Sequence, residues 1–282
     1  MNNNSLIKNF YKGFKKRLAL LFQNPYKEVN VSWIKLKYYK HLPAGKLRKH
    51  HLFGKSFFFY NPEELLHAFD EIFIGQIYKI QLQNYPYILD CGANIGLSVI
   101  YLKQLYPEAV IVAFEPDKKN FDLLEKNIKS FGYDDVSLRN QAVWNEKATI
   151  HFSSVGLMSS KISTVNDSNT IQTQAVRLRD LLIKEIDFLK IDIEGAEFVV
   201  LNDISDKFHF IKNMFIEYHG TFQQNNEIAE LLTMLNKAGF NFYIKEATCI
   251  YKTPFYRIKN TRIPYDIQLN IFCFRTSIYN LT

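Results

Sequence analysis

From residue 87 onward, short apolar runs alternate with amphipathic stretches of helical period, and this alternation narrows the fold more than any other feature. The runs at 87–91, 110–115, 136–142, 188–193, 214–218, 240–244 and 267–274 read as strands. Helical spacing fits 97–106, 118–131, 197–201 and 227–238. Buried strands alternating with helices predict a doubly wound α/β domain with a mainly parallel sheet covered on both faces. No helix pattern separates the last two runs, which predicts an antiparallel hairpin at the sheet edge. Residues 151–175, rich in Ser, Thr and Asn, are expected to form a long polar loop with one strand at its start. Before the alternation begins, 57–60 reads as a strand, and Asn61-Pro62 opens a helix with an N-cap and a proline at the first helical position.

Charge divides the chain unevenly. Residues 1–55 hold 13 Lys/Arg and one acid, Glu28, while the rest is mildly acidic, so the net charge of +7 belongs to the N-terminal fifth. Ile7, Phe10, Phe14, Leu18 and Leu21 recur at helical spacing with lysines between them, predicting a basic amphipathic helix over 5–22. A second basic cluster follows at Lys46, Arg48, Lys49, His50 and His51. The expected division is a basic, partly helical extension over 1–55 and one domain over 56–282, its Rossmann-like core beginning at residue 85. Such an arm suits phosphate, nucleic acid or an anionic membrane surface, and a solvated helix face equally. No apolar run is long enough for a membrane-spanning helix, and the N-terminus lacks a cleavage-site pattern. Cys91, Cys249 and Cys273 show no metal or disulfide spacing and are expected as buried free thiols in a reducing cytoplasm. Peripheral contact with the inner membrane face through 5–22 is the one departure expected from a cytoplasmic protein.

The most informative stretch runs from Ile88 to Ser98, where a buried strand ends in Asp90-Cys91-Gly92-Ala93-Asn94-Ile95-Gly96 before a helix. Glycines allow a sharp turn and close approach to a ligand, and the helix N-terminus offers N–H groups to a carboxylate. Asp90 is placed to accept from a ligand ammonium. A dinucleotide site would want a glycine where Asn94 stands, so the pattern suits an amino-acid tail better than a pyrophosphate. Glu115 closes the next strand 19 residues after Gly96, where an acid can accept both hydroxyls of a ribose. At the third strand end, Gln141 is the candidate to read an adenine edge. Asp192-Ile193-Glu194-Gly195-Ala196-Glu197 gathers three carboxylates at one turn, a costly arrangement unless they serve a helix N-terminus, a cation or catalysis. Glu217-Tyr218-His219-Gly220 then sets an imidazole at a strand end, a candidate general base.

Taken in order, Leu89-Asp90-Cys91-Gly92-Ala93-Asn94-Ile95-Gly96, Phe114-Glu115-Pro116, Leu189 to Glu197 and Ile216-Glu217-Tyr218-His219 resemble the FkbM family of class I methyltransferases over residues 70 to 275. The resemblance implies a seven-stranded sheet with a reversed last hairpin. It also implies S-adenosylmethionine as donor and O-methylation of a sugar, glycan or natural-product hydroxyl. Asp90, Gly92, Asn94 and Gly96 would hold the methionine portion and Glu115 the ribose. His219, Asp192 and Glu194 are the candidates for removing the acceptor proton. Magnesium could join carboxylates and acceptor oxygens, but no residue pattern requires it, and no metal ligands are assigned. A nicotinamide-dependent oxidoreductase or epimerase and a non-catalytic cofactor-binding module remain as alternatives. The strand end Asp192-Ile193-Glu194-Gly195 lacks the (Asn/Asp)-Pro-Pro-aromatic motif of amino-methylating enzymes, which argues against nucleic acid as substrate.

Overall fold

A computed structural model describes residues 24–153, 170–258 and 264–275. The expected basic helix over 5–22 lies outside the described residues. Contacts divide the chain into two units, Met1–Lys79 and Ile80–Thr282.

The first unit contains helix α1 (Trp33–Lys40), a hairpin of β1 (Arg48–Leu52) and β2 (Lys55–Phe59), and helix α2 (Pro62–Ala68). Ser32 caps α1 by accepting from Lys35 N, and Asn61 caps α2 by accepting from Glu63 N. Phe53 and Gly54, both at positive φ, form the two-residue hairpin turn. The segment expected as a basic cluster is therefore largely a strand, and alternation decides which side chains meet water. Lys49 and His51 are exposed, whereas His50 is buried against Tyr39 and Phe69. Burial lowers the His50 pKa to about 4, with Val29 O and the Tyr39 hydroxyl at its ring nitrogens. His50 is thus a neutral core residue. The hairpin pairs residues on both sides of the 55/56 boundary drawn from the sequence.

The second unit is α/β. Its strands are β3 (Tyr87–Cys91), β4 (Val110–Phe114), β5 (Ser137–Arg139), β6 (Ala142–Trp144), β7 (Thr149–Ser153), β8 (Thr170–Arg177), β9 (Phe188–Ile191), β10 (Asn213–Gly220), β11 (Asn241–Glu246) and β12 (Ile267–Phe274). Its helices are α3 (Leu97–Leu105), α4 (Lys118–Phe131), α5 (Glu197–Asp203) and α6 (Asn225–Lys237). Seven strands form one sheet in the order β11-β12-β10-β9-β3-β4-β5. Pairing is parallel from β10 through β5, and β12 runs antiparallel to both its neighbours. The sheet is the doubly wound one expected from the alternation of strands and helices, including the terminal hairpin.

Leu89, Leu189, Ile191, Ile216 and Ile271 pack with Val200, Leu201, Leu231 and Leu235 of α5 and α6 into the main core. Truncating one such leucine to alanine costs roughly 2–5 kcal/mol. Asp117 caps α4 through Asn120 N, and Gly132 ends it at φ +73°.

The third strand departs from its expected course. It stops at Arg139, and after two residues the chain enters a second sheet of order β6-β8-β7. Asn140 marks the break, its amide donating to Glu115 O and Pro116 O. The polar stretch that reads as a loop accordingly carries two strands, β7 at its start and β8 at its end; residues 154–169 lie outside the described residues. Cys91 and Cys273 are buried, but Cys249 is exposed in the β11–β12 connection, contrary to the expectation for all three. Among the described residues no helix is long and apolar enough to cross a membrane.

Candidate functional site

The strand order sets the C-terminal ends of β4, β3, β9 and β10 side by side, where open α/β sheets bind ligands. Gly92 and Gly96 both adopt positive φ. A Cβ on Gly92 would sit 1.8 Å from Asp192 O, and one on Gly96 would sit 2.8 Å from Leu124 Cδ1. Gly92 is thus required by the close approach of the turn after β9, and Gly96 by its φ of +97°, since the Leu124 side-chain end beside it can shift. The N–H groups of Gly92 and Ala93 donate to Phe114 O, and that of Gly96 to Ala93 O. The first turn of α3 retains the N–H groups that no helical carbonyl can accept.

Asp90 is fully buried behind this turn. Ser98 Oγ donates to its Oδ2 at 2.5 Å, and Lys190 Nζ lies 3.3 Å from Oδ1, which has no hydrogen-bond partner. Lys190, almost wholly buried, also donates to Gly92 O at 2.7 Å and to Asp192 Oδ2 at 3.2 Å. Asp90 therefore faces Lys190 and Ser98, with Lys190 linking it to the glycine turn and to Asp192. The signal for Lys190 was visible in the sequence: it is the one charged residue within the apolar run Phe188–Ile191.

Glu115 is buried, with Oε2 accepting from Asn94 N at 2.8 Å and Oε1 from Asp117 N at 3.0 Å. Burial raises its pKa to about 7 despite both backbone donors. Gln141 lies at the β5–β6 junction beside a hollow of about 550 Å³ lined by Lys147, Thr149, Gln174 and neighbouring residues. Beside Gln141, the Asn140 side-chain amide donates to the backbone oxygen of Glu115 at 2.9 Å.

Asp192, Glu194 and His219 come together. One ligand atom from each lies within 4.8 Å of the others, a spacing that could hold a divalent cation. Glu197, buried at the first position of α5, organises this corner. Its Oε1 accepts from Ile193 N and Gly195 N, both at 3.1 Å, and lies 3.2 Å from His219 Nδ1. On the other side of the ring, His219 Nε2 is 3.2 Å from Gln268 Nε2, 3.6 Å from Glu217 Oε1 and 3.7 Å from Glu194 Oε2. The Tyr265 ring packs on the imidazole at 4.7 Å, while its hydroxyl donates to Glu194 O at 3.0 Å. Burial favours the neutral imidazole, but Glu197, Glu217 and Glu194 outweigh it and raise the His219 pKa well above 6.5. Asp192 is raised by burial and by Glu217, against the pull of Lys190 and His219. Tyr265 and Gln268 carry no motif of their own; only the pairing of β12 with β10 brings them here.

The model of the methyltransferase FkbM domain matches residues 90–242. The chain belongs to the FkbM methyltransferase family. It is an S-adenosylmethionine-dependent methyltransferase on the seven-stranded sheet described above. "Methyltransferase 1" of Beauveria bassiana (strain ARSEF 2860) is 28% identical over 205 residues, covering 63% of this chain and 80% of that protein. "Methyltransferase sdnD" of Sordaria araneosa is 25% identical over 225 residues, covering 66% of this chain and 86% of that one. Among solved structures, the FkbM methyltransferase of Methylobacillus flagellatus KT aligns with a TM-score of 0.46 at 16% identity, covering 68% of this chain; this chain spans 44% of that one. The FkbM domain match takes in every strand end of the acid–histidine cluster but stops before β12, so Tyr265 and Gln268 lie beyond it.

Proposed function

We propose that this FkbM methyltransferase transfers a methyl group to a hydroxyl of a sugar, glycan or natural product, with His219 accepting the hydroxyl proton. The observation that carries this reading is the Glu197–His219 pair: Nδ1 is held by a buried carboxylate, and Nε2 faces Gln268, Glu217 and Glu194. The corner also fits a cationic donor. Asp90, Asp192, Glu194, Glu197 and Glu217 outnumber Lys190 and His219. S-adenosylmethionine would supply a sulfonium-bound methyl group, electrophilic without further activation.

The first turn of α3, with the Asp90–Lys190 pair behind it, would orient the methionine portion. Glu115 would accept the ribose hydroxyls on the lone pairs not used by Asn94 N and Asp117 N. Gln141 is kept as the proposed adenine contact. Glu197, Glu217 and Glu194 favour the charged ring, so a second positive charge that shares these carboxylates would favour the neutral ring that can accept a proton. General-base help of this kind is worth about 10²–10⁴-fold, and fixing the hydroxyl in line for transfer supplies much of the remainder. Asp192 and Glu194 are the alternative bases. They are also the ligands by which a divalent ion could orient two acceptor oxygens, at the cost of the His219 proton.

The test combines calorimetry with S-adenosylhomocysteine and radiolabelled methyl transfer. His219→Ala should lower turnover at least about tenfold and leave cofactor affinity nearly unchanged. Wild-type protein that binds no S-adenosylhomocysteine would overturn the proposal. Turnover unchanged in the variant would move the base to Asp192 or Glu194.

A second reading concerns placement. On α1, Trp33, Ile34 and Tyr38 are exposed beside Lys37 and Lys40, a basic and aromatic combination suited to a lipid headgroup layer. Together with the basic sequence over 5–22, this supports peripheral contact with an anionic membrane.

A further inference from the structure

Where β10 ends, the chain builds a pocket that the methyl-transfer chemistry above does not use. It has a volume of about 440 Å³, and its lining includes Phe222, Tyr251, Phe255, Arg257, Asp266 and Gln268. Strand register fixes its place. Gly220, the last residue of β10, pairs with Ile267, and its carbonyl accepts from Asp266 N at 2.9 Å. One step further along β12, Gln268 pairs with His219. Its side-chain amide lies 2.7 Å from Glu217 Oε1 and 3.2 Å from His219 Nε2. A lining residue of the pocket therefore touches the imidazole on the side opposite Glu197.

The lining combines two chemistries. Phe222 and Tyr251 stack with centroids 5.8 Å apart and planes 18° from parallel, and Arg257 lies over the Phe222 ring at 5.4 Å. Phe255 is fully exposed. Among these rings Asp266 is held firmly: the Tyr251 hydroxyl donates to Oδ1 at 2.6 Å and Phe222 N to Oδ2 at 3.2 Å. Asp266, Arg257 and Gln268 thus offer oriented acceptors and donors beside aromatic surface. A flat aryl acceptor would match the rings but engage the polar rim little, which a site built for hydrogen bonding disfavours. A pyranoside matches both, having an apolar C–H face and a rim of hydroxyls that donate and accept.

We infer that this pocket binds a pyranoside ring of the methyl acceptor, from which a hydroxyl reaches His219 past Gln268. The inference rests on the methyltransferase reading and narrows its substrate to a glycoside. It is tested on the full chain saturated with S-adenosylhomocysteine. Saturation-transfer NMR is run against the methyl glycosides of glucose, galactose, mannose and rhamnose, with catechol as the non-sugar probe. At least one glycoside should receive saturation at its ring protons. Phe222→Ala and Arg257→Ala should each weaken that binding about tenfold or more, with S-adenosylhomocysteine affinity unchanged as proof of an intact fold. Three outcomes overturn the pocket: no glycoside saturated on the loaded protein, catechol bound in preference, or glycoside binding unaltered in both variants. Failure of the wild type to bind S-adenosylhomocysteine is a separate result, and it overturns the parent reading.

Discussion

Glu197 Oε1 lies 3.2 Å from His219 Nδ1, and the same carboxylate oxygen accepts the backbone N–H groups of Ile193 and Gly195. One buried acid therefore shapes the turn after β9 and orients the imidazole at the end of β10. Without it, two N–H groups of the turn would lose their acceptor and the ring its anchor.

That pairing makes the protonation of His219 a measurable quantity. Its pKa should lie well above 6.5 in the free protein, followed by the Cε1–H resonance in an NMR titration. Glu197→Gln removes the leading attractive charge and should move the titration to lower pH, while His219→Ala deletes the resonance. The kcat/KM profile should rise with pH along the same curve, because it reports the free enzyme and only the neutral ring accepts a proton. A His219 resonance that titrates at the ordinary histidine value would contradict this assignment.

Glu115 should make cofactor affinity pH-dependent. Its carboxyl is raised to about 7, and ribose hydroxyls donate to the ionised form. Protonation competes with the ligand, so affinity should fall as pH drops. Between pH 8 and pH 6 the dissociation constant for S-adenosylhomocysteine should rise about tenfold. Glu115→Gln should bind more weakly at pH 8 and lose most of the pH dependence. Calorimetry at the two pH values decides it, and a flat wild-type profile would remove Glu115 from the ribose site.

Lys190 should be a stability residue. Lys190→Met leaves Asp90 and Asp192 without their shared cation, and breaking a buried pair of this kind costs about 3–5 kcal/mol. Adding Asp90→Asn to that variant should recover part of the loss, because it removes the stranded charge. Urea unfolding of the wild type and both variants measures this; a single variant as stable as the wild type would refute the pairing.

The exposed face of α1 should contribute to membrane contact. Vesicles containing anionic lipid should sediment the full chain at low salt, and binding should fall as salt rises. Replacing Trp33, Ile34 and Tyr38 with serine should weaken binding without altering S-adenosylhomocysteine affinity. Absence of binding at low salt would exclude the membrane reading.

Local pattern was enough for the elements and the family. The inner strands β3 and β9 show in their apolar runs, because a strand buried on both faces is apolar along most of its length, whereas the edge strands β5 and β11 are partly exposed and mixed in sequence. Asp90, Gly92, Glu115, Asp192, Glu194 and His219 stand at strand ends in recognisable motifs, and the family could be named from them. Local pattern did not reveal what those residues touch. Gly92, read as a ligand turn, also packs against Asp192 O at the end of the neighbouring strand β9, and Asp90, read as meeting a ligand, also faces Lys190. His50 reads as part of a basic patch but is a neutral core residue, because the register of β1 turns it inward. Tyr265 and Gln268 had no signal at all. They reach His219 only because β12, late in the chain, inserts between β10 and β11 in antiparallel sense. Periodicity records which face of an element is buried, a property of neighbouring residues along the chain. Which side chains meet across strands is decided by sheet order and register, and these arise only when distant segments pack.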